Sequence, residues 1–564
     1  MKKILALLFS VCLLLGTINM AFAISPLPVA GKYGMVVSEE QLASQIGMHI
    51  LREGGNAIDA AVTVGYALAV VDPCCGNIGG GGFMLIHFAK GKNVMLNFRE
   101  KAPLAATASM FLDSSGQVIP NKSLLGYLSV AVPGTVLGLN TALEKYGTMT
   151  RQQVMAPAIN LARHGFIIGP TNAKLLADKQ AIFLQQADVA AIFLKNGKPY
   201  HPKDKLIQVQ LANTLQQIAD QGSDAFYKGS ITEEIVKASQ ENGGILSTQD
   251  FAEYTVEELS PVQCSYRGYT IFSASLPSSG GVALCEMLNI LEGYPLSSFG
   301  FHSAQSIHYI VEAMRYAFFD RNRLGDPDFI RNPDEQLIAK DYAAQIRTRI
   351  QSFRASESKE LGSAVMPYES HDTTHFSVTD KQGNAVAVTY TLNGFFGAKI
   401  IAGDTGFFLN DSMDDFTIMP EKPNQFHLIQ GMANAIQGGK RPLSSMTPTI
   451  ITKNDHLFMV LGSPGGPRII TSVLQTILNV IDYGMNIQEA VDAPRFHHQW
   501  WPDVIIFEPF AISQDSNEKL ADMGYNVIQN SPWSAVAAIL LDPSKHEYFG
   551  ANDDRRPLGK AVGY

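Results

Sequence analysis

Residues 372–378 read DTTHFSV, two adjacent threonines directly ahead of a run with strand-like alternation. A threonine hydroxyl is a weak nucleophile at its ordinary pKa and needs a base within hydrogen-bond reach. If the bond between Asp372 and Thr373 is cut, the new α-amine of Thr373 is that base, a recognised variant of nucleophile–base logic. The same hydroxyl can make the cut by attacking the Asp372 carbonyl, leaving an ester that water opens. A bland pair of strand-edge threonines would do none of this. The neighbours favour the nucleophile. Thr373 opens a strand, which would hold a new N-terminus rigidly at a sheet edge, and the residues before it are polar. NAVAVTYTLN follows a turn at Gly383, so the two runs read as a hairpin. Its far end, Thr391-Leu392-Asn393, returns beside Thr373. Thr391 can then hydrogen-bond Thr373, and Asn393 can reach a ligand.

Those residues need elements to position them. From Glu40 to Asp72 apolar positions recur at helical spacing, interrupted at Gly54-Gly55, which predicts two helices and a turn. GNIGGGGF, Gly76 to Phe83, lacks the Gly-Lys-Ser/Thr or helix-opening GxGxxG of a phosphate loop. The alternating MLIHF and VMLNF that follow make it the entry to a hairpin. Residues 135–260 are mostly helical in pattern, 303–322 form an amphipathic helix, and 340–365 read as a helix running out into an exposed polar segment. Beyond Thr373, HLFMVLGSPGG is a strand entering glycines, TSVLQTILNVIDYG is a helix, and short strands and turns run from DVIIFEPF to YFGANDD. A helix-rich first part thus meets a strand-rich second part at the threonine pair.

With 564 residues, the chain holds two domains or one large α/β unit. Apolar residues at 46% and charged residues at 17% describe a packed protein and exclude a disordered one. The first 23 residues have two lysines, an apolar run from Ile4 to Leu15 and Ala21-Phe22-Ala23, the pattern of a signal peptide cleaved after Ala23. The apolar run is short for a membrane anchor, and no later stretch is long enough to span a bilayer. Loss of Lys2 and Lys3, with no acidic residue, takes the net charge from −9 to −11. That disfavours nucleic acid or anionic lipid as a partner. The expected product is exported, periplasmic or secreted, with no membrane association. Four cysteines remain, Cys74, Cys75, Cys264 and Cys285, which allow three pairings; the vicinal pair is poorly placed to bond to itself. No CxxC or HExxH is present, so neither a metal nor a cofactor is expected.

TTHFSVTDKQGNAVAVTYTLN, GFFLNDSMDDF, KRPLSSMTPT and GSPGGPRI, in this order, resemble the γ-glutamyltranspeptidases. So do GGNAIDAAV, GNIGGGGF, NFREKAP, AVPGTVLGL, LPSSGG, RYAFFDRN and APRFHHQWWPD, so the likeness covers nearly all of the chain after the leader. The resemblance implies an α+β fold, the four-layer αββα sandwich of the N-terminal nucleophile hydrolases, formed by two chains cut from one precursor. The pieces would be 24–372 and 373–564, associated as a heterodimer. It implies that Thr373 attacks the γ-amide carbonyl of glutathione or another γ-glutamyl compound, with water, an amino acid or a dipeptide as acceptor. Thr374 would only line the pocket. The backbone N–H groups of Gly465 and Gly466 match the family's oxyanion donors. Arg99, Ser444 and Ser445 match its α-carboxylate ligands, and Asp415, assisted by Asn393, its α-ammonium ligand.

One position departs from the pattern: Ser412 stands where relatives usually carry Gln or Glu. Residues 419–439 match a lid, with Phe426 as its plug. His497-His498 and Trp500-Trp501 read as packing and hydrogen bonding, and His371 and His375, flanking the cut, as local. Two rivals stand beside this reading, an acylase for non-glutamyl amides and an uncut binding or scaffold protein.

Overall fold

The computed structural model describes residues 25–362, 373–419 and 431–564. The leader with Ala23, the residues His371 and Asp372, and Phe426 with most of the expected lid lie outside the described residues. Two seven-stranded antiparallel sheets organise the rest. The first runs Lys560–Gly563, Met35–Ser38, Thr374–Thr379, Ala385–Thr391, Gly81–His87, Asn93–Phe98, Glu257–Leu259. The second runs Val29–Gly31, Glu547–Asn552, Ala537–Asp542, His456–Gly462, Thr449–Lys453, Tyr269–Ser273, Val262–Tyr266.

Period-2 alternation sorts the side chains into layers. Phe376, Val378, Val386, Val388 and Tyr390 share a core with the helices Gln41–Arg52 and Ala57–Val71. Their neighbours Ala385 and Ala387 instead meet Val460, Ala537 and Ile539 of the second sheet. On that sheet Met459, Leu461 and Ala538 turn outward onto Gly280–Leu291, Ala304–Arg321 and Arg468–Ile481. The order is helix, sheet, sheet, helix, the αββα sandwich. The central strands, such as Gly81–His87 and Ala385–Thr391, are buried on both faces because each sheet is covered on both sides.

Two expectations need correction. The strand Thr374–Thr379 is not at a sheet edge but third of seven, because Met35–Ser38 and the C-terminal Lys560–Gly563 close its outer side. Cys74 and Cys75 are disulfide-bonded to each other, and Cys264 to Cys285. The vicinal pair sits in a buried turn after the helix Ala57–Val71, where the chain folds back and brings neighbouring side chains together. Its carbonyls accept hydrogen bonds from Leu392 (2.9 Å) and Phe396 (2.7 Å), which anchors the loop that carries Asn393.

Candidate active site

Register decides which way each threonine faces. Thr374 pairs with Tyr390, so Thr373 and Thr391 lie side by side one step further out. Both have the parity of His375, Ser377 and Thr389, which face the second sheet; His375 bonds Thr389 (2.8 Å) and Ser377 (3.1 Å) within the sandwich. Burial drives the His375 pKa down to about 3, so it stays neutral and is part of the core. Thr374 has the opposite parity. Its methyl group lies where a side chain on Gly76 would be, and it does not line the pocket, contrary to expectation.

Thr373, 4% exposed, therefore opens into the end of the inter-sheet space. The Thr391 hydroxyl donates to Thr373 Oγ1 (3.4 Å) and accepts from the Asn393 backbone N–H (2.8 Å). Asn393 adopts φ +78°, a left-handed conformation that asparagine tolerates, and its Nδ2 donates to the Asp411 carbonyl (3.0 Å). The run Gly79-Gly80 permits this arrangement. A Cβ on Gly80 would stand 1.8 Å from the Thr391 carbonyl oxygen, and one on Gly79 2.0 Å from that of Phe408.

Across the gap, His456–Gly462 runs into Ser463-Pro464-Gly465-Gly466 before the helix Arg468–Ile481 begins. Gly465 (φ +123°) and Gly466 (φ +55°) are both left-handed, and a Cβ on Gly465 would meet Ser534 Oγ at 2.2 Å. Their carbonyls accept from Arg468 and Ile469, while among the described residues neither glycine N–H donates to the backbone. Two adjacent N–H groups at a helix start suit a developing oxyanion.

The charged side of the pocket comes from distant segments. The Arg99 backbone is gripped by Asn97 Oδ1 (3.0 Å to its N–H), by the Tyr254 hydroxyl (2.8 Å to its carbonyl) and by Arg441. Its guanidinium donates to Glu100 (2.8 Å), to Asp415 and to the Pro442 carbonyl (3.3 Å). Burial opposes the Arg99 cation, but Glu100 and Asp415 outweigh it and hold its pKa above the ordinary value. Burial raises Asp415 to about 6 against the pull of Arg99. Ser412 turns away from the pocket and donates to Glu100 (2.8 Å). Ser444 and Ser445 are clasped by the loop before Gly280–Leu291: Ser444 N–H donates to Pro277 O (2.9 Å), and Ser279 donates through N–H (2.9 Å) and Oγ (2.7 Å) to Ser444 O.

One pocket is lined by Thr373, Thr391, Asn393, Arg99, Asp415, Ser444, Ser445 and Gly466, and Gly465 adjoins it. Every expected site residue is thus brought to one place. Sequence reasoning missed Arg321, which also lines the pocket, and Glu100, which braces Arg99 from behind. Both lie inside the stretches RYAFFDRN and NFREKAP, but nothing local marks them as pocket residues. His497 bonds Thr471 (2.9 Å) and Gln499 (2.8 Å), His498 bonds Asp503 (3.2 Å), and Trp500 donates to Ser358 O (2.9 Å), as packing residues would.

Comparison with known proteins agrees with this geometry. The profile of the Gamma-glutamyltranspeptidase family matches residues 43–564. A glutathione hydrolase proenzyme of Pseudomonas sp. (strain A14) is 53% identical over 552 residues, covering 96% of each chain. A solved γ-glutamyltranspeptidase of Helicobacter pylori is 45% identical, with TM-score 0.56 over 59% of this chain and 94% of its own. A cephalosporin acylase of Bacillus halodurans superposes with TM-score 0.84 at 27% identity, over 96% of this chain and 98% of its own.

Proposed function

The chain belongs to the γ-glutamyltranspeptidase family, and from that premise we propose an exported proenzyme that cuts itself before Thr373 and then passes γ-glutamyl groups through an ester on Thr373. In the first reaction Thr373 Oγ1 attacks the Asp372 carbonyl, the peptide C–N bond breaks, and nitrogen takes the hydroxyl proton. Water then opens the Asp372 ester, which leaves a carboxylate on the large piece, 24–372, and a free α-amine on the small piece, 373–564. The two pieces stay together as the working enzyme.

In the second reaction the α-amine accepts the Thr373 hydroxyl proton while Oγ1 attacks the γ-carbonyl of glutathione or a related donor. Negative charge on the carbonyl oxygen is met by the N–H groups of Gly465 and Gly466, and the Thr391 hydroxyl steadies Oγ1. The ammonium of Thr373 returns its proton to the leaving amine as the C–N bond breaks. Water or an acceptor amine then attacks the ester and regenerates Thr373.

The donor is a zwitterion at its α-carbon, and the pocket supplies the opposite charges: Arg99 with Ser444 and Ser445 for the carboxylate, Asp415 with Asn393 for the ammonium. The observation that carries the reading is this pairing of a buried threonine with a cation and an anion in one pocket. The leader ending at Ala23 supports export.

N-terminal sequencing of the small piece tests the reading. We expect Thr-Thr-His-Phe-Ser, and any other start removes Thr373 from the chemistry. Thr373→Ala should remain a single chain and be inactive.

A further inference from the structure

Arg321, the last residue of the helix Ala304–Arg321, is 2% exposed and lines the pocket. Of the other buried arginines, Arg99, Arg315, Arg441 and Arg495 each pair with a carboxylate, and Arg468 lies over the Trp533 ring (4.4 Å). Arg321 pairs with no carboxylate among the described residues. Its Nε donates to Ser279 Oγ (2.9 Å), one terminal nitrogen donates to Ser445 Oγ (3.2 Å), and the other has no hydrogen-bond partner among the described residues. Burial lowers its pKa to about 10, so it remains a cation at neutral pH. Among the described residues the acid that acts on it is Asp415, which Arg99 already holds. A buried cation without a counter-ion is costly, and such a charge is relieved when a ligand brings an anion.

The hydrogen-bond directions add a second argument. Ser445 Oγ accepts from Arg321, so its own proton remains to be donated. Ser279 passes the same anchoring to Ser444 through its Oγ. Arg321 therefore fixes the polarity of the Ser445 hydroxyl, while the Ser444 hydroxyl accepts from the Met446 N–H (3.1 Å), and it adds a positive charge behind the pair.

We propose that Arg321 is a positioning and specificity-determining residue, a second guanidinium that makes the Ser444–Ser445 seat selective for an anionic group on the donor's α-carbon. The inference rests on the γ-glutamyl reading above and concerns how that pocket tells a free carboxylate from a neutral group.

The test uses the full, processed enzyme, with the Thr373 N-terminus confirmed and active sites titrated. Two donors are compared, a γ-glutamyl anilide and the same anilide with its α-carboxylate converted to a carboxamide. Arg321→Gln should raise KM for the free acid by about tenfold or more, the size of a lost charge-assisted contact. It should leave kcat within about threefold, and KM for the carboxamide within about twofold, because the loss is one of ground-state binding. Arg321→Lys should recover part of the selectivity.

If Arg321→Gln does not mature, Ser279→Ala, which removes one anchor of the guanidinium, should shift the free-acid KM in the same selective way by about threefold. Equal KM changes for both donors, or no change, overturn the inference and make Arg321 a structural brace. A wild-type enzyme that does not distinguish the two donors overturns the γ-glutamyl reading as well.

Discussion

Asp415 is raised to about 6 because burial disfavours its charge more than Arg99 favours it. The free enzyme therefore holds an ionised Asp415 above that pH and a protonated one below it, and only the ionised form pairs with an ammonium. The α-amine that the proposed cut would give Thr373 titrates as well, so a simple rate profile would mix the two. A ratio separates them: kcat/KM for a γ-glutamyl donor over that for the same donor lacking its α-amine. The nucleophile cancels, and kcat/KM reports the free enzyme. The ratio should be level at neutral pH and fall by about tenfold per unit well below the Asp415 value. A flat ratio would remove Asp415 as the ammonium partner, and a ratio below one at every pH would favour the non-glutamyl acylase. At this scale the sequence was uneven. Thr373, Thr391 and Asn393 could be joined by hairpin register alone. Arg99, Asp415 and the serine pair came together only through resemblance, because periodicity says which way a side chain faces and not which distant segment it meets. Arg321 escaped for that reason, since its role depends on Ser279 and Ser445, far away in sequence; Glu100 braces its neighbour Arg99 and escaped because Arg99 itself was placed only by resemblance.

The elements that matter most are short joints. Gly465 and Gly466 join a strand of the second sheet to a buried helix, and their left-handed backbone leaves two N–H groups without backbone acceptors among the described residues. Gly465→Ala forces a Cβ toward Ser534 Oγ, now 2.2 Å from that position, and strains φ +123°. The loop must move, and with it the donors. We expect kcat to fall by about 10²–10³ with KM little changed, the signature of a lost transition-state donor. Steady-state kinetics on material with a confirmed Thr373 N-terminus checks it, and an unchanged kcat would take the oxyanion role from this loop. Elements were the most legible level. The two helices split at Gly54-Gly55, the hairpin after the glycine run and the hairpin turning at Gly383 all stand as read. The position of Thr374–Thr379 inside its sheet was not legible, because its outer neighbours come from residues 35–38 and 560–563, hundreds of residues away. The vicinal disulfide was misread because spacing alone does not reveal a turn tight enough to join adjacent cysteines.

For the whole molecule, the layering makes a cut in the middle of the chain compatible with a single particle. Thr374–Thr379 lies between Met35–Ser38 and Ala385–Thr391, and Ala385–Thr391 pairs onward with Gly81–His87. In the second sheet Thr449–Lys453 pairs with Tyr269–Ser273, and Glu547–Asn552 with Val29–Gly31. Neither proposed piece can leave without stripping strands from the middle of both sheets and exposing open edges. Both disulfides join cysteines that precede residue 372, so neither crosses the cut. The two pieces are held without a covalent link, by burial, backbone pairing and side-chain contacts such as Arg99–Asp415 and Arg315–Asp503. This predicts a specific pattern: one particle of the combined mass by size exclusion in native buffer, with or without a thiol reductant, and two bands on a denaturing gel even when reductant is omitted. A single non-reduced band that splits on reduction would mean a covalent link that the fold does not contain. Pieces that separate in native buffer would mean that the strands are not interleaved as described. Refolding discriminates further, since each piece alone lacks the central partners of its own strands. The separated pieces should aggregate where an uncut Thr373→Ala chain refolds, and light scattering during dilution from denaturant would register the difference.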